Sequence, residues 1–242
     1  EVASSIAVET IAKTAPQSAD AARLAAAVEA ANAAVIEAAL NGLGKPGMGC
    51  TATCAYIEND TLAIAHVGDS RAYLLHEGTL IRVTRDHSYV EELVDAGEIT
   101  ADEARVHPNR SVITRALGSD PAMYADHFTL HIEEGDRLIL CSDGLSSMIP
   151  DSDIENIATQ SSTAQICVDN LVDAGGHDNV TVVVVDLVDD GVMREAQRVR
   201  RRNVTIGVVL GLVLVLAAAI WAYTGVTGSY YLGTYQGNVA VW

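Results

Sequence analysis

The stretch that decides the fold is AHVGDSRAYLL, residues 65–75. The apolar run leading into it begins at Leu62 and predicts a buried strand. Gly68-Asp69-Ser70-Arg71 interrupts this run before the chain turns apolar again at Ala72. The sequence therefore places a carboxylate, Asp69, at the end of a core strand, and we expect the next strand to rejoin the same sheet.

The same short, β-rich alternation extends upstream of this stretch. TATCAYI (51–57) is joined to the strand at 61–67 by the turn residues Glu58-Asn59-Asp60. Together with a strand at 71–77, these segments predict an antiparallel meander.

The second half of the chain adds three further strands. FTLHI (128–132) and RLILCS (137–142) flank the turn Glu134-Gly135 and predict a hairpin, while VTVVVVDL (180–187) is continuously apolar and predicts a fully buried strand. Helices are predicted over 1–14, 18–41 with Ser18 as N-cap, 88–105, 151–159 and 163–174.

Composition and charge narrow the class of protein. The 242 residues are 49% hydrophobic, enough for one domain with a sizeable core. Net charge is −17, and residues 1–193 contain 31 Asp and Glu against 10 Lys and Arg. A domain this acidic repels nucleic acid, so we expect no nucleic-acid partner. The four cysteines lack a second close pair of Cys or His, which favours buried free thiols in a reducing compartment over a zinc site.

The C-terminal part of the chain has a different character. Residues 194–202 contain five arginines, and residues 204–223 are uncharged and mostly apolar. At about 1.5 Å per residue, a helix of this length crosses the roughly 30 Å hydrocarbon core of a membrane. Because no charge follows Arg202, the arginines place the N-terminal side in the cytoplasm. We therefore predict a single-pass protein of the inner (plasma) membrane with a cytoplasmic N-terminal domain.

Three carboxylates lie at the ends of predicted strands. Asp69 and Asp143 each follow a strand, and Asp178 immediately precedes one. If the strands at 137–142 and 180–187 are antiparallel neighbours, Asp143 and Asp178 meet at one edge of the sheet. Such carboxylates repel unless a cation intervenes, and oxygen ligands without a Cys/His set favour Mg²⁺ or Mn²⁺. Taken singly, each aspartate could instead stabilise a turn.

Residues 47–187 closely resemble the PPM family of metal-dependent serine/threonine protein phosphatases, the type 2C group. Six stretches carry the resemblance, in matching order and spacing: GMGCTAT (47–53), AHVGDSRAYLL (65–75), Thr84-x-Asp86-His87-Ser88, SVITRALG (111–118), LILCSDGL (138–145) and GGHDNVTVVVV (175–185). The resemblance implies an α+β fold, a four-layer αββα sandwich of two antiparallel sheets flanked by helices. Here a single transmembrane helix would follow it.

The resemblance also implies an activity and a set of metal ligands. The activity is hydrolysis of phosphoserine and phosphothreonine in proteins by water activated at two Mn²⁺ or Mg²⁺ ions, with a third in bacterial members. Asp143 and Asp178 match the family's C-terminal metal ligands, and Asp69 matches a carboxylate used for the third ion. Ser111 falls where another ligand of that third site is expected, and Asn179 is expected to orient Asp178.

One part of the family pattern has no counterpart in these residues. The family's Asp-Gly loop, whose Asp bridges both metals, and its phosphate-binding Arg would lie upstream of Glu1. We therefore expect an N-terminally truncated phosphatase whose 242 residues bind metal weakly and hydrolyse little, while the longer parent is active. The catalytic residues proper stay unassigned in this numbering.

These inferences lead to a domain plan and three functional hypotheses. The plan is a phosphatase domain at 1–190, a basic juxtamembrane linker at 191–203, a transmembrane helix at 204–223 and an extracytoplasmic stub at 224–242. The first hypothesis is a membrane-tethered phosphatase that acts on phosphorylated proteins and opposes bacterial Ser/Thr kinases. The alternatives are a catalytically weak fragment or pseudophosphatase that binds phosphoproteins at the membrane, and a different hydrolase on the same metal scaffold.

Overall fold

The computed structural model describes residues 1–176 and 179–188, and the backbone of residues 232–235 and 238–241. The chain divides into two compact units, Glu1–Val188 and Asp189–Trp242. In chain order the elements are α1 (Val2–Thr14), α2 (Ala21–Leu40), β1 (Ala52–Glu58), β2 (Thr61–Val67), β3 (Arg71–His76), β4 (Thr79–Arg82), α3 (Tyr89–Asp95), α4 (Ala101–Val106), β5 (Asp126–His131), β6 (Arg137–Cys141), α5 (Asp143–Ser146), α6 (Asp151–Gln160), α7 (Ala164–Gly175), β7 (Val182–Asp186), β8 (Leu232–Tyr235) and β9 (Asn238–Val241).

The first unit is built from two antiparallel sheets, with strand orders β1-β2-β5 and β4-β3-β6-β7. Ile64 of β2 and Leu74 and Leu138 of the other sheet share one buried cluster, so the sheets pack face to face. Val28 of α2 packs with Val67 on the outer face of the three-stranded sheet, and α6 and α7 cover the other sheet. This confirms the predicted fold of two antiparallel sheets flanked by helices.

The predicted meander is wrong at its second turn. β2 pairs with β1 on one edge and with β5 on the other, so it has no edge left for β3. β3 instead pairs with β4 and β6 in the opposite sheet. Residues 68–70 therefore form a crossover between sheets, because the apolar faces of β2 and β3 bury each other across the sandwich.

Two other strand predictions need correction. β5 and β6 do not form a hairpin, since β5 pairs with β2 and β6 pairs with β3 and β7. β7 is also only half-buried: Val183 and Val185 are 49% and 36% exposed. Among the described strands β7 pairs with β6 alone, so its apolar run does not mark a central strand.

The helix boundaries differ for local reasons. α2 is capped by Asp20 rather than Ser18, because the Asp20 carboxylate accepts the Arg23 N–H at 3.0 Å. The single helix predicted over 88–105 is divided into α3 and α4. Gly97, with φ of +71°, follows the end of α3, and Thr100 starts α4 with a capping box.

In the part of the chain that the structure describes, no helix has both the length and the apolar content needed to cross a membrane. The predicted transmembrane segment at 204–223 and the basic linker before it lie outside the described residues. Within the predicted extracytoplasmic stub, β8 and β9 form an antiparallel hairpin.

Candidate active site

Three of the five predicted site residues line a single cleft of about 330 Å³. Asp69 reaches it from the crossover after β2, and Asp143 reaches it as the first residue of α5. Ser111 lines the same cleft from the loop that follows α4. The fold thus brings together three side chains that are far apart in sequence.

The pairing of β6 with β7 positions Asp143. The strands run antiparallel, with Cys141 opposite Val182, which is the arrangement under which the sequence argument brought Asp143 and Asp178 to one edge. Pairing continues beyond the strands, since the Ser142 N–H donates to the Thr181 carbonyl at 3.0 Å. The Ser142 hydroxyl accepts the Thr181 N–H at 3.1 Å. These bonds hold the turn that carries Asp143 beside the segment leading into β7.

Asn179 lies directly against this turn. A Cβ on Gly144 would lie 2.6 Å from the Asn179 carbonyl oxygen, so only glycine fits here without movement. Asp178 lies outside the described residues. Its convergence with Asp143 therefore stays a prediction, as does the role of Asn179 in orienting it.

Asp69 and Asp143 influence each other electrostatically. Burial of Asp69, followed by the negative charge of Asp143, raises the pKa of the Asp69 carboxyl to about 6, although Arg71 opposes the shift. Neither aspartate forms an ion pair with a basic side chain of the described residues. Two uncompensated carboxylates in one cleft form a region that a divalent cation would stabilise.

Arg71, which follows Asp69 closely in sequence, directs its charge elsewhere. Its guanidinium contacts both carboxylate oxygens of Asp86 at 2.8–3.1 Å and Asp151 at 3.3 Å. Arg82 also pairs with Asp86, at 2.9 Å. The two arginines thus pair with the carboxylates of Asp86 and Asp151, and neither forms an ion pair with Asp69.

Two further arginines line the cleft: Arg105 in α4 and Arg110 in the loop that follows it. Arg105 donates to the carbonyls of Ser146 and Ile149 at 3.4 and 3.3 Å, which links α4 to the end of α5. Arg110 has no carboxylate within salt-bridge distance among the described residues. Its free charge therefore faces a cleft that is otherwise rich in carboxylates.

Sequence reasoning missed the supporting role of the segment at 84–88. Thr84, Asp86, His87 and Ser88 are polar but only 2–6% exposed. The Thr84 hydroxyl accepts the Ala72 N–H at 2.9 Å, and the other three are also hydrogen-bonded. The Thr84-x-Asp86-His87-Ser88 motif marked the segment, but the motif alone did not show what each side chain contacts.

The donor set fits a hard divalent cation in part. The described residues contain no group of three or more His, Cys, Asp and Glu side chains arranged to hold a metal ion. They do place the oxygen donors Asp69 and Asp143 in one cleft, and the predicted third carboxylate, Asp178, is outside them. Oxygen donors without nearby thiolate or imidazole suit Mg²⁺ or Mn²⁺.

Comparison with known proteins extends these observations. Residues 5–181 match the family model for protein phosphatase 2C. The serine/threonine phosphatase stp of Listeria welshimeri is 40% identical over 144 residues, covering 58% of this chain and 57% of that protein. The serine/threonine protein phosphatase PstP of Mycobacterium tuberculosis is 41% identical over 174 residues, covering 69% of this chain and 33% of that protein.

A solved structure agrees with both matches. The catalytic domain of PstP in complex with two manganese ions superposes with a TM-score of 0.68 at 36% identity, covering 78% of this chain and 81% of that one. The chain spans 57% and 33% of the length of the two curated relatives named above.

Proposed function

The chain belongs to the protein phosphatase 2C family, and we propose that it hydrolyses phosphoserine and phosphothreonine esters in proteins. The observation that carries this proposal is the convergence of Asp69 and Asp143, without basic partners among the described residues, in one cleft beside the free charge of Arg110. The two relatives named above are both called serine/threonine phosphatases, which supports the same substrate class.

The proposed cofactor is a pair of Mn²⁺ or Mg²⁺ ions, with a third at Asp69. Asp143 and Asp178 would hold the pair, and Ser111 would contribute near Asp69. Bound ions of this kind activate water and neutralise the charge of a phosphoryl group. The two manganese ions in the PstP complex support the choice of metal.

Arg110 is proposed to bind the phosphorylated substrate. A guanidinium recognises phosphate oxygens through paired N–H donors, and this one is not engaged by a carboxylate of the described residues. Arg105 holds α4, which precedes Arg110 in the chain, against the end of α5. The phosphate would therefore meet Arg110 in the same cleft that Asp69 and Asp143 line.

Phosphate release from phosphopeptides tests the proposal. The 242-residue chain and the proposed longer parent protein are each incubated with phosphothreonine and phosphoserine peptides and with p-nitrophenyl phosphate, with Mn²⁺ or with EDTA. We expect turnover mainly in the parent. Mn²⁺-dependent release from the peptides supports the proposal, and EDTA should abolish it. A preference for the small ester would favour a different hydrolase, and peptide binding without turnover would favour a phosphoprotein-binding module.

We also propose that the domain is tethered to the inner face of the membrane, where it opposes Ser/Thr kinases. The arginines at 194–202 and the apolar residues at 204–223 support this arrangement. Reporter fusions should place residue 190 in the cytoplasm and residue 235 outside. The reverse orientation, or a soluble fusion, would contradict the tether.

A further inference from the structure

The buried polar segment at 84–88 continues alongside the crossover that carries Asp69. Val83 N–H donates to the Ala72 carbonyl at 2.9 Å, and the Ala72 N–H donates to the Thr84 hydroxyl. Three residues after Thr84, His87 lies beside Gly68, the residue that immediately precedes Asp69. The segment therefore supplies hydrogen bonds where the regular strand ladder has ended.

His87 holds both backbone groups of Gly68. Its main-chain N–H donates to the Gly68 carbonyl at 2.8 Å. Its imidazole Nδ1 lies 3.0 Å from the Gly68 nitrogen and accepts that N–H. We refer to these two bonds as the Gly68 clamp. A single buried residue thus fixes the peptide groups on either side of Gly68, including the one that leads into Asp69.

The hydrogen bonds also define the tautomer of His87. A backbone N–H can only donate, so Nδ1 must be the acceptor and the ring proton must lie on Nε2. That proton is donated to the Asp126 carboxylate at 3.0 Å, and Arg115 holds the other carboxylate oxygen at 2.6 Å. The His66 ring packs against His87 with centroids 5.0 Å apart. The imidazole is therefore fixed in position, orientation and protonation.

Gly68 leaves little room for an alternative arrangement. Its φ of +113° lies in a region that favours glycine, and a Cβ would lie 2.3 Å from Thr51 Cγ2. Glycine can adopt several backbone conformations, and the two hydrogen bonds of the Gly68 clamp select this one.

We propose that His87 is a positioning residue for Asp69: through the Gly68 clamp it sets the direction in which the carboxylate enters the cleft. This inference rests on the proposed function, because it assigns a purpose to the orientation of a metal-binding carboxylate. Groups that orient ligands in this way typically change metal affinity by 10–100-fold when removed.

Two conservative variants separate the two ring hydrogen bonds of His87, the one from Gly68 and the one to Asp126. In His87→Asn, the side-chain oxygen lies near the position of Nδ1 and can still accept the Gly68 N–H. In His87→Gln, the amide nitrogen lies near Nε2 and can still donate to Asp126, but the acceptor for Gly68 is lost. His131→Gln is the matched control, since His131 is an exposed histidine with a side chain 65% exposed.

The first measurement is spectroscopic and requires neither metal nor turnover. Val67-Gly68 is the sole Val-Gly pair in the sequence, so ¹³C-carbonyl valine with ¹⁵N-glycine isolates one amide signal in the full chain. We expect that signal to shift in His87→Gln and to stay near its wild-type position in His87→Asn and His131→Gln. An unchanged signal in His87→Gln would overturn the clamp.

The second measurement is Mn²⁺ binding followed by electron paramagnetic resonance. His87→Gln should weaken binding about tenfold, while His87→Asn should bind close to the wild-type value. In an Asp69→Asn background, His87→Gln should have no further effect, because the two residues act through one group. Equal weakening by both His87 variants, or an undiminished effect in Asp69→Asn, would reduce His87 to a general stabilising role and refute the inference. Failure of the proposed function would instead appear as no phosphopeptide turnover with the amide signal intact.

Discussion

Asp69 and Asp143 carry charges that the fold does not neutralise. Both side chains line the cleft, and the arginine nearest in sequence, Arg71, is engaged by Asp86 and Asp151. A half-buried carboxylate beside another carboxylate is unfavourable, which is why the pKa of Asp69 rises to about 6. At the scale of single residues, this raised pKa in a cleft is consistent with the proposed cation site.

Removing one of these charges should abolish most of the activity. In the proposed longer parent protein, we expect Asp143→Asn to lower kcat/KM on a phosphothreonine peptide by about 100-fold, because metal ligands act as a unit. Mn²⁺ titration should show a matching loss of affinity. Asp173→Asn, an exposed aspartate of α7, is the control and should behave like wild type. A wild-type rate in Asp143→Asn would remove Asp143 from the site.

Arg110 should affect substrate binding without affecting stability. Because it forms no ion pair within the described residues, Arg110→Ala should leave the urea midpoint unchanged. In the proposed longer parent protein, the KM for phosphopeptide should rise by about tenfold through loss of a charge-assisted contact to phosphate. Arg23→Ala, at an exposed arginine of α2, controls for loss of charge. An unchanged KM would place the phosphate elsewhere in the cleft.

At the scale of elements, the crossover between β2 and β3 determines the geometry of the site. β2 leaves the three-stranded sheet at Val67, and β3 enters the four-stranded sheet at Arg71. The chain must therefore change sheets within three residues, and it exposes Asp69 at the rim as it does so. A hairpin turn at the same residues would have kept both strands in one sheet.

Gly68 is the residue that permits this crossover. We expect Gly68→Ala to lower the free energy of unfolding by about 3 kcal/mol, because both φ of +113° and Thr51 oppose a Cβ. Gly78→Ala is the matched control: its φ is +81° and nothing lies within 4 Å of the added carbon, so it should cost about 1 kcal/mol. Urea unfolding of both variants measures the difference. Equal losses would show that the contact with Thr51 is unimportant.

At the scale of the whole molecule, polar groups are buried where the two sheets and their connections meet. His66 is 1% exposed; its Nε2–H donates to the Arg85 carbonyl at 3.1 Å, and its Nδ1 accepts from the Thr53 hydroxyl at 2.9 Å. Burial, followed by the neighbouring His87, lowers the pKa of His66 to about 4. The folded protein therefore holds this imidazole neutral.

Acid should destabilise the fold through His66. The pKa of histidine in the unfolded chain is about 6.5, so above that pH both states are neutral and the fold keeps its full stability. As the pH falls from about 6.5 to 4, only the unfolded state takes up a proton, and the stability that depends on neutral His66 is lost. The loss amounts to at most about 3 kcal/mol. Comparing urea unfolding of wild type and His66→Gln from pH 7 to 4.5 isolates the effect, since glutamine does not titrate. Parallel pH profiles would exclude His66 as the source.

Much of this protein is encoded in local patterns. Alternation of apolar residues identified most of the strands, and continuous motifs marked the Asp69 and Asp143 turns and the 84–88 segment. The short strand β4 was missed because Thr79–Arg82 is too brief to establish a period. The apolar run at 180–187 correctly predicted a strand. Its partial exposure could not be predicted, because that depends on its pairing with only one described strand, β6.

The sequence by itself determined most of the strand and helix segments, and which residue types stand at their ends. Only the tertiary structure decided that β2 and β3 belong to different sheets, that Arg71 binds Asp86 rather than Asp69, and that His87 holds Gly68. The physical reason is that periodicity records which side of a strand is apolar, whereas pairing depends on which distant segment covers that side. Such non-local contacts leave no period in the chain.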